Sequence, residues 1–572
     1  MSCWGPLCIG PGHWRFRLWA PGAEALTLEI ADRTPLTMTP EKDGWWHAET
    51  QALPGTRYRF RLADGLAIPD PASRGQNGGV HGWSVLADAD DHAWQTADWR
   101  GRHWHEAVIM EVHAGLMGGF GGIEGELPRL RDLGITAIEL MPLGAFSGQR
   151  NWGYDGVLPF APAESYGTPA DLKRLIDRAH ELDIMVLVDV VYNHFGPDGN
   201  YLGLYAPDFF HADLDTPWGG AVAVDRPQVA AFFLENALMW LEDFRADGLR
   251  LDAVHAIGNT DFLDKLAYDI RERIGPDRHV HLVLENESND ADRLAAGLYD
   301  AQWNDDFHNV MHVLLTGEDE AYYADFADRP AERLARCLAE GFIYQGEPSP
   351  THKGRIRGKP SGHLRPTAFV SFLQNHDQIG NRATGERLTL LAPADPLRAA
   401  TALLLLAPQI PLLFMGDEIG SRSPFLFFTD FHDALADAVR EGRRREFARF
   451  AAFRDEAARA RIPDPNAPET FEASRPEAPS DAAEWTALYR SLIALRTRDI
   501  VPRLAGSKPE GADVLGDAAV SARWRMSDGT RLTLALNLGA DGVDFPESKA
   551  DAIFTLGRAG AGGSFAAWLE ET

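Results

Sequence analysis

Cysteine is nearly missing from this 572-residue chain, which has only Cys3, Cys8 and Cys337. An odd, sparse set builds no disulfide framework and points to no thiol chemistry. Positive charge is also short: 55 lysines and arginines face 84 aspartates and glutamates, a net charge of −29. Such a surface repels phosphate backbones and anionic lipid, so neither nucleic acid nor a membrane is an expected partner. It suits a neutral substrate, although a merely acidic solvent-facing surface would read the same way. No apolar stretch is long enough to span a bilayer. The opening MSCWGPLCIGPGHWRF lacks the basic start and apolar run of a secretory signal, so the cytoplasm is the expected compartment. No GxGxxG glycine loop follows the first barrel-type run, and there is no HExxH and no pair of cysteines at zinc spacing. No cofactor and no metal is therefore expected, with metal-assisted hydrolysis as the rival use of any acidic cluster.

What is present reads as several domains. RFRLWAP (Arg15 to Pro21), LTLEIA (Leu26 to Ala31) and RYRFRLAD (Arg57 to Asp64) alternate apolar and polar residues, separated by Pro/Gly turns. Residues 1–95 are predicted to form an N-terminal β-sandwich. From 96 to about 500, short apolar runs alternate with helix-length amphipathic stretches. The runs are VIMEV, IELMP, MVLVDVV, GLRLDAV, HLVLE, AQWND, FVSFLQ and PLLFMG, beginning at Val108, Ile138, Met185, Gly248, His281, Ala301, Phe369 and Pro411. Eight such units predict a (β/α)₈ TIM barrel, with an open doubly wound sheet as the alternative. Residues about 194–226 form an insertion long enough for a short lid. A second insertion, about 421–481, holds a polar helix and then a Pro/Glu/Ala-rich stretch expected to be loop-like and flexible. Residues 501–572 return to β patterning, as in VSARWRM and RLTLALNL, and predict an antiparallel C-terminal domain.

In such a barrel the reactive groups sit at the C-terminal ends of the strands. The third run ends in Asp189, Asn193 and His194, and the fourth in Arg250, Asp252 and His255. The fifth ends in Glu285 and the seventh in His376 and Asp377. A carboxylate at one strand end often only caps the next helix, but several converging on one mouth fit acetal cleavage. Arg250, two residues before Asp252 and on the same side of the strand, is expected to hold Asp252 ionised as a nucleophile. Glu285 follows apolar HLVL, and desolvation should raise its pKa as a general acid requires. Tyr154, in NWGYDG after the second run, is placed to stack on a sugar or simply to fill a loop.

DVVYNH, GLRLDAVH, LVLENE and FLQNHD occur in that order. Together they resemble the four signature regions of the α-amylase superfamily of retaining glycoside hydrolases. The resemblance implies Asp252 as nucleophile, Glu285 as acid/base and Asp377 as transition-state stabiliser, with Tyr154, His194 and His376 around the sugar before the scissile bond and Arg250 among the substrate-binding residues. IPDPASRGQNGGVHGWS (Ile68 to Ser84), WNDDFHNVMHVLLTGE (Trp303 to Glu318), QNHDQIGNRATGERL (Gln374 to Leu388) and REGRRREF (Arg440 to Phe447) look like the malto-oligosyltrehalose trehalohydrolase family. That likeness implies a malto-oligosyltrehalose substrate, trehalose as product, and functional pairing with a malto-oligosyltrehalose synthase. It also implies a leaving-group site near His255, Asp305, Asp306, His308, Gln378 and Asn381. The sequence departs from relatives at ENESND after the acid and at Asp417-Glu418-Ile419, both expected on substrate-side loops. A glycogen branching or debranching enzyme shares the domain plan. A non-catalytic glucan-binding protein, using aromatics such as Trp45 and Trp46, is the alternative of a different class.

Overall fold

The computed structural model describes residues 4–571 apart from 88–91, 217–218 and 449–450, so Cys3 lies outside the described residues. Eight parallel strands close into a barrel, β1 (Ile109–Val112), β2 (Ala137–Leu140), β3 (Met185–Val190), β4 (Gly248–Leu251), β5 (His281–Leu284), β6 (Ala301–Trp303), β7 (Phe369–Ser371) and β8 (Ile410–Phe414). They are the eight apolar runs, in chain order, with Leu412 of β8 returning to lie opposite Ile109 of β1. Strand residues buried on both faces explain why the runs are continuous rather than alternating. Register then decides which polar groups meet. Asp189 of β3 stands opposite Arg250 of β4, and Glu111 of β1 opposite Glu139 of β2.

The helices between strands follow from local signals. Pro169–Glu181 begins at Thr168, whose side chain accepts from the Asp171 N–H while Asp171 reaches back to the Thr168 N–H. This reciprocal cap satisfies two otherwise orphaned donors. Asp177 on that helix also accepts from the backbone of Gln95 and Thr96, fastening the segment that leads into the barrel. No described helix is long and apolar enough to cross a membrane.

Before the barrel, a four-stranded and a six-stranded antiparallel sheet pack through residues such as Phe16 and Tyr58, with rings 4.9 Å apart. Trp45 belongs to this module's core beneath the Arg17 guanidinium, and Trp46 donates its indole N–H to the Ala20 carbonyl. Neither forms an open platform for a glucan. After the barrel, five antiparallel strands spanning Lys508–Glu570 pack against helix Ala394–Leu406. Cys8 is exposed and Cys337 buried, and both are free thiols.

Two expectations need correction. The 194–226 insertion is not a lid. Past His194 it forms a short helix (Leu202–Tyr205) and a hairpin (Phe210–Thr216 with Gly219–Val222) that dock the sandwich onto the barrel. Phe209 lies edge-on to Trp4 of the sandwich and Phe232 of the barrel, and the Tyr205 carbonyl accepts from the Gly22 N–H. The stretch at 455–480 is not loose loop. It contains helices Glu456–Ala460 and Pro468–Ala473. Asn466 takes N–H and O–H bonds from Phe431 and Thr429, and Arg475 bonds the Leu116 carbonyl. Polar residues that look solvent-bound in sequence are spent here on backbone groups.

Phe209→Ala should destabilise the protein by about 3–5 kcal/mol, the usual cost of deleting a buried aromatic, while KM for substrate stays unchanged. Denaturant unfolding and steady-state kinetics check this. Unchanged stability with a raised KM would restore the lid.

Candidate active site

At the C-terminal mouth of the barrel a cleft of about 1000 Å³ is lined by Tyr154, His194, Asp252, His255, Glu285, Asp305, His376, Asp377, Gln378 and Asn381. Ten of the thirteen residues picked from the sequence therefore share one cavity. Arg250 lies beneath it, fully buried. Its Nη1 is 2.7 Å from Asp189 Oδ2 and 2.9 Å from Asp252 Oδ1, its Nη2 is 2.9 Å from Glu285 Oε2, and its plane covers the Trp303 ring at 4.0 Å. The guanidinium is thus not reserved for Asp252, as the two-residue spacing suggested, but is shared among three acids.

The sharing separates the two central carboxyls. Burial pushes both Asp252 and Glu285 above the usual carboxylate range, and Arg250 pulls both back. Asp252 receives Arg250 on Oδ1 and the Asn193 amide on Oδ2 at 3.2 Å. Both partners only donate, so the hydrogen-bonded form of Asp252 is the anion. Glu285 Oε2 accepts the Ala253 N–H (2.8 Å) and stands in ion-pair contact with Arg250 Nη2, so both interactions fall on one oxygen. A proton on Oε1 costs no existing bond. Ala253, next to Asp252, holds φ +38° in the left-handed region that alanine rarely adopts, and this turn aims its N–H at Glu285.

The third acid, Asp377, begins a short helix (His376–Gly380) capped by Asn375 and Gln378, and Asn381 Nδ2 reaches its Oδ1 at 3.3 Å. Burial raises Asp377 as well, against the pull of His376. Asp305 lines the cleft and is held well above its ordinary value by burial and by the nearby Glu285 and Asp377. Tyr154 donates its hydroxyl to Asp189 at 2.6 Å and stacks on His376. His194 is tied to the Tyr154 carbonyl at 2.9 Å.

Asp306 and His308 do not reach the cleft. Asp306 is fully buried, accepting from the N–H groups of Ile343 and Tyr344, from Asn289, and pairing with Arg357 at 2.8 Å. His308 Nδ1 contacts the Leu373 carbonyl at 2.6 Å, and burial lowers its pKa to about 3. Both lie on helix Asp305–Thr316, where successive residues point about 100° apart, so Asp305 faces the cleft and Asp306 the core. Of the two departures, Glu287 lines the cleft, bridging His352 (2.6 Å) and His255 (3.6 Å). Asp417 and Glu418 do not. Asp417 accepts from Gln374 and Arg387, and Glu418 pairs with Arg129.

The sequence reading missed Tyr322, Tyr323 and Glu318 to Glu320, which follow helix Asp305–Thr316, and Thr351 and His352, which follow strand Glu347–Ser349. It also missed Phe427, Phe447 and Phe453 of the second insertion. The adjacent tyrosines after a helix-ending Gly317 were the available signal. Among the described residues no group of three or more His, Cys, Asp or Glu side chains is arranged to hold a metal ion.

Family models match three parts of the chain: "Carbohydrate-binding module 48 (Isoamylase N-terminal domain)" at residues 5–72, "Alpha amylase, catalytic domain" at 75–203, and "Domain of unknown function (DUF3459)" at 510–568. A malto-oligosyltrehalose trehalohydrolase of Deinococcus radiodurans is 40% identical, covering 94% of this chain and 89% of that protein. One from Rhizobium sp. (strain M-11) is also 40% identical, covering 90% and 89%. A 1,4-alpha-glucan branching enzyme of Geobacillus stearothermophilus is 28% identical, over 71% of this chain and 67% of that one. A crystal structure from Salmonella typhimurium, provisionally assigned as an alpha amylase, superposes with a TM-score of 0.94 at 42% identity and covers 100% of both chains.

Asp306→Ala strips Arg357 and two backbone N–H groups of their acceptor. Breaking a buried pair on one side costs about 3–5 kcal/mol, so the urea midpoint should fall sharply. An unchanged midpoint with weakened ligand binding would return Asp306 to the cleft.

Proposed function

The chain belongs to the malto-oligosyltrehalose trehalohydrolase family of α-amylase-type glycoside hydrolases, and on that premise we propose that it cleaves the α-1,4 bond next to the terminal trehalose of a malto-oligosyltrehalose. The observation that carries the mechanism is the shared Arg250, which leaves Asp252 an anion and Glu285 able to carry a proton. Glu285 Oε1 protonates the glycosidic oxygen as that bond breaks, and an Asp252 oxygen attacks the anomeric carbon. Trehalose departs. Glu285, now anionic, takes a proton from water, which attacks the glycosyl–Asp252 ester and releases the shortened chain with its α-configuration retained. Asp377 supports the positive charge that develops on the ring in both steps. Because Glu285 must be protonated for the first step, the rate falls as pH rises through its elevated pKa.

The leaving-group side is proposed to be the wall of His255, Glu287, Asp305 and Gln378. Polar groups there suit a compact disaccharide with no reducing end. A malto-oligosyltrehalose synthase is the enzyme that would supply such a substrate. The free thiols Cys8 and Cys337 suit a reducing compartment, and we place the reaction in the cytoplasm.

Asp252→Asn should fold normally and lose hydrolysis by several orders of magnitude, as members of one catalytic unit do. Near-normal turnover would remove Asp252 from the role, and a β-anomeric first product from the wild-type enzyme by NMR would refute retention.

Maltotriosyl trehalose should be preferred over maltopentaose by roughly a hundredfold or more in kcat/KM, since two or three unpaired polar contacts cost about 1–3 kcal/mol each. Competition between the two substrates, with free trehalose assayed, tests this. Equal rates would leave a general amylase, and new α-1,6 links would make the protein a branching enzyme.

A further inference from the structure

Two carboxyls lie side by side inside the barrel, below the cleft and apart from the acids that act on the bond. Glu111 of β1 and Glu139 of β2 are register partners, and both are buried. Neighbouring strands run about 4.8 Å apart, so two negative charges on this buried pair would repel each other strongly. Hydrogen bonding decides which one is charged. Glu111 Oε1 lies 2.5 Å from His376 Nδ1, and Oε2 accepts the His376 backbone N–H at 3.1 Å. Neither oxygen of Glu139 has a partner among the described residues. Glu111 is the anion. Glu139 is the neutral acid, pushed well above the ordinary range by burial and by Glu111.

We propose that Glu111 is a positioning residue for the reaction: from the first strand it grips the ring and the backbone of His376 together, fixing Nε2 as a donor toward the bound glucosyl ring and Asp377 in place beside it. The proposal rests on reading the cleft as a glucan hydrolase. His376 forms part of the cleft wall, held between the stacked Tyr154 ring at 5.0 Å and the edge of Trp152 at 5.8 Å. Its Nδ1 is committed to Glu111, which leaves Nε2, 3.5 Å from Asp377 Oδ1, for the sugar. The charged and titratable groups around it are Glu111 and His113 from β1 and its loop, Glu139 from β2, Tyr154 from the following loop, Asp189 from β3, Arg250 from β4 and Asp377 beside it. Burial alone would lower the imidazole. Glu111, helped by Asp377, outweighs burial and lifts it to about 9. Below that pH both ring nitrogens carry protons, so Nε2 can only donate. The Glu111–His376–Asp377 set still sums to one negative charge, which tolerates an oxocarbenium-like ring above it.

The experiment follows the ring itself and the reaction in parallel. The wild-type enzyme is labelled with 15N-histidine, and the His376 signal is assigned by its loss in His376→Asn. We expect titration near pH 9 in the wild type and below pH 7 in Glu111→Gln. In that variant kcat on maltotriosyl trehalose should fall ten- to a hundredfold at pH 7, with KM changed less than about threefold, as expected for a lost charge-assisted bond. Its pH optimum should move about one unit toward acid, because imidazolium returns as pH falls through the lowered pKa. Glu139→Gln should alter neither the titration nor the pH profile, since that acid is already neutral. Wild-type His376 titrating below pH 7 would overturn the proposal without recourse to any variant. So would Glu111→Gln with an unshifted titration, even if slower. A shift in Glu139→Gln would overturn the assignment of charge to Glu111. If the His376 titrations behave as expected but trehalose is not released, the positioning role stands and the substrate reading fails.

Discussion

Arg250 is a fully buried cation, and the acids of the site are arranged around it. A buried guanidinium is costly unless several acceptors surround it, and here Asp189, Asp252 and Glu285 do so from three successive strands. One positive charge does not balance three buried negative ones, and burial pushes all three acids above the ordinary range. Arg250 hydrogen-bonds Asp189 and Asp252 directly but meets Glu285 only as an ion-pair contact, and on that ground we propose Glu285 as the acid of the set that carries the proton. The proposed difference in role between Asp252 and Glu285 thus rests on geometry around a shared partner, not on two unlike environments.

The same shortage of cations runs through the layer. Burial and neighbouring carboxyls push Asp305 and Glu139 well above the ordinary range, against the weaker pull of Arg357 on the first and of Arg250 and His376 on the second, whereas Glu111 pairs directly with His376. The cleft therefore combines fixed anions, a fixed cation and acids of raised pKa at close quarters. Such a preorganised set stabilises developing charge without reorganising at the moment of reaction.

Outside the barrel, the added segments are braces. The 194–226 insertion turns its aromatics toward the sandwich, and the second insertion spends its polar residues on backbone groups around the cleft. Arg443 of helix Asp433–Phe447 bonds the Gly380 and Arg382 carbonyls, so this insertion steadies the loop that carries Asp377. Phe427, Phe447 and Phe453 then complete the cleft wall from the same insertion.

The sequence alone determined the barrel and which polar side chains stand at its strand ends. A strand buried on both faces must be a short apolar run, and a parallel barrel brings every run's C-terminal end to one mouth, so Asp252, Glu285 and the loop carrying His376 and Asp377 had to meet. Pairing could not be read that way. Arg250 lies two residues from Asp252, but its bond to Asp189 and its ion-pair contact with Glu285 depend on strand register. Asp305 and Asp306 are adjacent in sequence, yet one faces the cleft and the other the core, because a helix turns about 100° per residue and only packing fixes its rotation. The insertions were legible as insertions but not as braces, since an aromatic or polar residue in a loop does not show which distant surface it will meet. Local pattern encodes which element forms, whereas the partner of a buried charge is a long-range contact that exists only once the chain has closed on itself.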